Sequence, residues 1–169
     1  SDAKIVDAQA GLESGVTAMV GALAGINMIS GPGMLDFLAC MSPEKLVVDA
    51  EAIRMVFRLL DGMHVLTDTL AIDMFEGIQF KGDFLKQKVT KQLFAKEQAM
   101  PSAVIDRGSI RAWQAGGCTD TFTRAKTRAK ELLASYQKPA VPSSQTQALL
   151  DMVTRLGRES GIEQLPGID

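Results

Sequence analysis

Histidine is close to absent from this chain, and the residues that build disulfide frameworks or aromatic cores are scarce. There is one His, with two Cys, one Trp and one Tyr, among 169 residues. His64 has no Cys, Asp or Glu ligand pattern around it, so a zinc centre is not indicated; it reads as a surface or hydrogen-bonded residue, or as an isolated base. Cys40 and Cys118 lie far apart, with no Cys or His at metal-ligand spacing, and read as two reduced thiols of a cytoplasmic protein. Aromatics make up 5% of the chain against nine Met and fifteen Gly, a balance that favours small-residue helix packing over a β-sandwich. The net charge of −2 offers no field for nucleic acid or an anionic membrane surface. The basic run Arg124, Lys126, Arg128 and Lys130 lacks the exposed aromatics on which bases stack. No apolar run reaches the ~18 residues of a spanning helix, and no signal peptide opens the chain. Ser1-Asp2-Ala3-Lys4 leads directly into helical pattern, so the chain is expected to be the C-terminal part of something longer.

What is present is a succession of helices around one glycine-rich stretch. Asp2 is placed to cap a first helix from Lys4 to Ala24, whose small residues recur every three or four positions and permit close backbone approach. Glu13 is the carboxylate in the middle of it, either solvated or facing a pocket. Ile26 to Ile29 has the character of a short strand, in which Asn27 serves as a structural tie or a ligand contact. The strand then breaks into Ser30-Gly31-Pro32-Gly33, and loops at strand ends are where α/β proteins bring backbone up to a ligand. Ser42-Pro43-Glu44 is a strong helix start. Leu46, Ala50, Ile53, Phe57 and Leu60 form an apolar stripe ending at Gly62, with Lys45, Asp49, Arg54, Arg58 and Asp61 on a solvated face.

Farther on, Val65-Leu66 reads as a second brief strand, and Thr67 or Asp68 as the cap of a helix ending at Gly77. Asp73 and Glu76 on that helix are spaced to share a face, as a solvated pair or an acid/base pair. A helix over Lys86 to Ala95, an extended connection from Met100 to Arg107 and a short helix at Ser109–Ala115 with Trp113 follow. Asp120 caps a helix to Tyr136 with Phe122, Ala125, Ala129, Leu132 and Leu133 inward. A proline-rich connection and a last amphipathic helix close the chain.

Familiar catalytic motifs are missing. Gly31-Pro32-Gly33-Met34-Leu35-Asp36 starts like a dinucleotide fingerprint but lacks its third glycine, and Pro32 has no N–H to offer a phosphate. Neither a P-loop nor a Gly-x-Ser-x-Gly elbow occurs, and Ser30 has no evident base.

Four segments together resemble the trimethylamine methyltransferase family. They are Ser1-Asp2-Ala3-Lys4 through Asp7-Ala8-Gln9-Ala10-Gly11; Ala22-Leu23-Ala24-Gly25-Ile26-Asn27 with Gly31-Pro32-Gly33-Met34-Leu35; Ser42-Pro43-Glu44-Lys45-Leu46-Val47-Val48-Asp49; and Thr69-Leu70-Ala71 with Phe84-Leu85 and Thr90. Asp106-Arg107 and the Trp113 helix also fit the family's tail. The resemblance runs in order over nearly the whole chain. It implies an α/β fold, the C-terminal part of a TIM (β/α) barrel, helix-rich with few short strands. Residues 1–100 would be closing strand/helix units, and residues 101–169 a helical extension.

The same resemblance implies an enzyme that moves a methyl group from trimethylamine to the cobalt of a corrinoid (cobalamin) held by a partner corrinoid protein. In trimethylamine-specific members an amber-encoded pyrrolysine precedes a run similar to Ser1–Lys4, which would put the catalytic residue upstream of Ser1. Glu13, Asn27, Ser30, Gly31 and Gly33 are the substrate-binding candidates left within the chain. Members acting on glycine betaine lack pyrrolysine, and many carry histidines after the Asn-containing strand and before the threonine of a later helix. Here Ser30-Gly31 and Val89-Thr90 stand at those places, which favours the trimethylamine branch. The alternatives are a glycine betaine-type methyltransferase and a non-catalytic helical interaction module. A barrel fragment exposes strand edges and core surface, so self-association into a homo-oligomer is expected. No methyl transfer is expected from the chain alone.

Overall fold

The computed structural model describes residues 1–70, 72–75, 78, 80 and 82–162, without the side chains of Asp68, Thr69 and Asp73. Residues 1–134 form one compact unit, and the chain from 135 onward forms a second.

In the first unit the backbone begins extended and enters α1 (Ala8–Leu23) through Asp7, whose carboxylate accepts from the N–H groups of Gln9 and Ala10. The cap is therefore Asp7 rather than Asp2. Residues 1–4 are held out of the helix because Ala3 and Ser1 carbonyls accept from the N–H groups of Asp36 and Phe37. Ala24 and Gly25 close the helix, with Ile26 N–H reaching back to Gly21 O at 3.0 Å.

Residues 26–31 are irregular and not the strand their apolar run predicts. A strand needs a neighbour to accept its ladder bonds, and among the described residues none lies alongside. Pairing occurs instead between β1 (Met34–Leu35) and β2 (Cys40–Met41), antiparallel, with Met34 opposite Met41 and Leu35 opposite Cys40. The link between them is a left-handed turn, with positive φ at Asp36, Phe37 and Leu38. Lys4 braces it, with Nζ 2.9 Å from Asp36 Oδ1 and 4.4 Å from the Phe37 ring centroid.

α2 (Pro43–Asp61) has the boundaries its sequence dictates: Ser42 Oγ accepts from Lys45 N at 3.1 Å, Pro43 opens the first turn, and Gly62 follows the last. Its burial departs from the expected pattern at Lys45 and Asp49, while Arg54 and Asp61 are exposed as expected and Arg58 and Ile53 are half-buried. Lys45, Asp49 and Glu51 are the buried residues of α2, while Phe57 is 66% exposed and Leu46 and Leu60 are exposed with it. α2 packs against α1 on one side and against α6 (defined below) on another. Few apolar residues are buried in this unit: Ala3, Ala10 and Leu35 form one cluster, and Val104, Ala125 and Ala129 are buried near the last helix.

After α2, residues 62–66 are not in a strand, so Val65-Leu66 adds no second one; nothing among the described residues pairs with it. α3 (Thr67–Leu70) is a single turn, followed by 3₁₀ turns at Ile72–Phe75 and Phe84–Lys86. The predicted Asp68 cap, the Asp73–Glu76 pair and the stop at Gly77 fall outside the described residues or side chains. α4 (Lys88–Glu97) leads to an irregular stretch tied back to α2. Glu51 accepts from Ser102 N, Arg54 donates to Met100 O, and Arg58 donates to Glu97 O.

α5 (Ile110–Ala115), capped by Ser109, and α6 (Thr121–Ala134), capped by Asp120, follow their predicted starts. They are knotted at Thr119, whose carbonyl accepts from Trp113 Nε1 at 2.9 Å and from Arg124 Nη1. Of the inward face expected for α6, Ala125 and Ala129 are buried, while Phe122, Leu132 and Leu133 are exposed, since small residues are what the α2 approach admits. The second unit contains α7 (Ser143–Glu159), with Leu149, Met152, Val153 and Leu156 exposed along it.

The protein is thus helix-rich with few short strands, compatible with part of an α/β fold, and no parallel sheet occurs among the described residues. Among them, no helix is long and apolar enough to cross a membrane.

Candidate functional site

A cleft of about 820 Å³ lies between α1, the loop over residues 25–32 and α2. Of the five sequence candidates, Glu13, Asn27, Ser30 and Gly31 line it; Gly33 lies behind its wall.

Glu13 is held entirely by its own chain. Its Oε2 accepts from Ser1 Oγ at 2.8 Å, Asp2 N at 2.6 Å and Ala3 N at 3.4 Å, and its Oε1 accepts from Gln9 Nε2 at 2.7 Å. Donors on both oxygens favour the ionised form. The Gln9 amide contributes most and the Ser1 hydroxyl next, and together with the Asp2 and Ala3 N–H groups they hold the carboxyl down to about 2. Glu13 thus fixes residues 1–3 at the mouth of the cleft as a permanent carboxylate.

Asn27 and Ser30 are exposed on the opposite wall, and among the described residues neither side chain has a hydrogen-bond partner. The structural-tie reading of Asn27 presupposed a buried strand; in an exposed loop its amide is left free for a ligand. Gly31 presents backbone only.

Gly33 is buried, with φ of +82°. Its N–H donates to Asp49 Oδ2 at 2.8 Å, and a Cβ there would stand 3.0 Å from Leu46 Cβ. Glycine is required both for the backbone conformation and for this approach to α2.

Beneath the wall lies the group that sequence reasoning assigned to solvent. Lys45 is 0% exposed and Asp49 4%. Lys45 Nζ is 2.5 Å from Asp49 Oδ1, 2.6 Å from Asp49 Oδ2 and 2.5 Å from Ser14 Oγ on α1. Burying two ions costs on the order of several kcal/mol each, which only close geometry and full hydrogen bonding offset. Both conditions hold, and no buried polar side-chain atom among the described residues lacks a partner. The i,i+4 spacing of Lys45 and Asp49 was visible, but the same spacing describes an exposed pair. The partners that reveal burial, Ser14 and Gly33, lie elsewhere in the chain.

Among the described residues, the charged side chains lining the cleft are Asp2, Glu13 and Asp49, and no Lys, Arg or His side chain joins them. Lys45 neutralises Asp49, which leaves the mouth acidic. Ile26, Ile53 and Phe57 supply apolar and aromatic wall. Such a surface suits a small cation with apolar substituents and repels anions. His64 hydrogen-bonds Asp61 at 3.2 Å beyond the last turns of α2 and does not line the cleft, so Ser30 gains no base from it. Among the described residues no cluster of His, Cys, Asp and Glu is arranged to hold a metal ion.

Comparison with known proteins places this geometry in context. The family model described as trimethylamine methyltransferase (MTTB) matches residues 1–161. The chain is 35% identical over 162 residues to trimethylamine methyltransferase MttB2 of Methanosarcina mazei, covering 94% of this chain and 32% of that protein. It is 36% identical over 137 residues to trimethylamine methyltransferase MttB of Methanosarcina thermophila, covering 81% and 28%. It is also 34% identical over 164 residues to a glycine betaine methyltransferase of Desulfitobacterium hafniense, covering 96% and 34%. The chain therefore spans about a third of the length of the curated relatives it matches.

Proposed function

The chain belongs to the trimethylamine methyltransferase family, and from that premise we propose that it forms part of an enzyme transferring a methyl group from trimethylamine to the cobalt of a corrinoid protein. The observation that carries the choice of substrate is the cleft, with an acidic mouth, an apolar wall and, among the described residues, no basic side chain lining it. Methylated ammonium groups are held by carboxylates at a distance and by apolar or aromatic surface in contact. Glycine betaine adds a carboxylate of its own, which the carboxylates at this mouth repel, and among the described residues no cation lines the cleft to offset them.

In this reading Asn27, Ser30 and the backbone at Gly31 face the substrate and orient its nitrogen substituents, which is where much of the rate in a transfer between two partners arises. Glu13 sets residues 1–3, and the pyrrolysine-type residue expected upstream of Ser1 would enter the cleft beside them. Gly33 acts from behind the wall. The corrinoid, carried by the partner protein, supplies the methyl-accepting cobalt when docked. The chain forms the C-terminal part of a TIM barrel in the cytoplasm and is inactive alone, in keeping with its spanning a third of its relatives. The exposed apolar side chains of α1 and α2 support association with further protein surface, including homo-oligomers.

The second reading, a glycine betaine methyltransferase, has the Desulfitobacterium relative in its favour. The test uses the full-length protein with a corrinoid protein reduced to cobalt(I), following the methylcobalt spectrum with trimethylamine and with glycine betaine. Trimethylamine is expected to be preferred by at least about tenfold, since a mouth lined by carboxylates disfavours a substrate bearing one of its own. Preference for betaine would replace the first reading by the second, and methylation from neither would refute both.

A further inference from the structure

α2 buries Lys45 and Asp49, and this ion pair touches both helices that line the cleft and the glycine that follows its loop. Lys45 reaches Ser14 on α1, Asp49 receives the Gly33 N–H from the loop, and both belong to α2. Asp49 also lines the cleft, with its two oxygens engaged by Lys45 and Gly33.

We propose that the Lys45–Asp49 pair is a positioning latch: it sets the spacing between α1 and α2 and fixes the turn at Gly31–Gly33, and so places Asn27 and Ser30 for the ligand. Its functional part rests on the reading of the cleft as the amine site.

Three observations carry it. The loop over residues 26–31 has no ladder bonds, so its position depends on where its ends are anchored. One end is held by Ile26 N–H on Gly21 O and by the Ile29 side chain against the α1 backbone at Gly21. The other is held by Gly33, through its N–H to Asp49 and through its carbonyl, which accepts from Ser42 N at 2.9 Å. Finally, replacing a buried ion pair by an apolar pair of similar volume is often neutral or stabilising in proteins. Stability alone therefore does not account for charges here, whereas directional bonds to Ser14 and Gly33 do.

The experiment replaces both charges together in the full-length protein, Lys45→Met with Asp49→Leu, and reads two quantities. Amide hydrogen exchange at residues 27–33 is expected to quicken by about tenfold, with exchange around Ala125 and Ala129 in α6 unchanged. Affinity for trimethylamine, by calorimetry, is expected to fall by about tenfold, and adding Ser30→Ala to the latch variant should weaken it by less than about twofold more, because a displaced Ser30 has little left to lose. Parental exchange at 27–33 overturns the latch, and fully additive losses overturn its action through the wall. If the parent protein binds no methylated amine, the functional reading has failed, and the exchange result alone decides the latch. Should the apolar pair lose α6 protection as well, Asp49→Asn answers instead. It keeps the shape but leaves Gly33 and Lys45 one acceptor oxygen between them. Faster exchange at 27–33 supports the latch, and parental exchange overturns it.

Discussion

Replacing Gly33 with alanine isolates the contact on which the cleft wall rests. Two glycines with nearly the same positive φ make the comparison possible. Gly25 has φ of +76° and nothing within 4 Å of where a Cβ would stand; Gly33 has φ of +82° and Leu46 Cβ at 3.0 Å. Forcing alanine into the left-handed region costs about 1–2 kcal/mol at either site. At Gly33 the methyl group must also displace the α2 backbone side, a packing penalty of about 1–3 kcal/mol. That displacement lengthens the N–H bond to Asp49, and hydrogen bonds to charged groups are worth about 1.5–3 kcal/mol when intact. Gly25→Ala is thus expected to cost about 1.5 kcal/mol and Gly33→Ala about 4 kcal/mol. The assay is urea unfolding followed by the fluorescence of Trp113, the single tryptophan, at several protein concentrations to separate dissociation from unfolding. With a slope near 1.5–2 kcal/mol per M, the two midpoints should differ by about 1.4 M. Equal losses at both positions would refute the argument, because they would show that conformation alone, and not approach to α2, makes Gly33 necessary.

Two further outcomes follow from the same geometry. Glu13 has its carboxyl lowered from 4.5 to about 2 by its Gln9, Ser1 and backbone donors, so its contribution to stability is present above about pH 4.5 and is lost as pH falls toward 2. Glu13→Gln should flatten the pH dependence of the unfolding midpoint in that window, and an unchanged slope would show that Glu13 is not held as described. Glu51→Ala leaves Ser102 N–H and Arg54 without their carboxylate, at a cost of about 1–3 kcal/mol. Limited proteolysis within residues 98–108 should accelerate, and parental cleavage rates there would place the tether elsewhere.

Helix ends were legible in the sequence because capping is local chemistry. Ser42-Pro43-Glu44, Ser109 and Asp120 each announce a helix start within a few residues, and each cap bond is present. What each helix faces was not legible. The stripe from Leu46 to Leu60 has the period of a buried face, yet burial needs a partner surface, and within this chain the partners of α2 are the small-residue faces of α1 and α6. Lys45 and Asp49 took the interior because Ser14 and Gly33 were there to satisfy them. The first helix was placed too early for a related reason: Asp2 is as good a cap as Asp7, and only the Asp36 and Phe37 N–H groups, distant in sequence, decide between them. Of the site, the glycine loop and Glu13 were visible as residue types. The absence of cationic lining among the described residues depends on which helix faces meet, which no local pattern encodes.

The latch also bears on the order in which the chain assembles. Gly33 and Asp49 are 16 residues apart, Ser14 and Lys45 31, and Glu51 and Ser102 51. Ring-closure entropy rises with separation by only about 0.6 kcal/mol per doubling, but early closures shorten the later ones. Of these three closures, the glycine turn meeting α2 is therefore the natural first, docking of α1 onto Lys45 the second, and capture of the 97–102 stretch the last. A chain emerging N-terminus first would have made the walls of its cleft before α6 existed to support them, which leaves the ion pair as the earliest long-lived clasp between its helices.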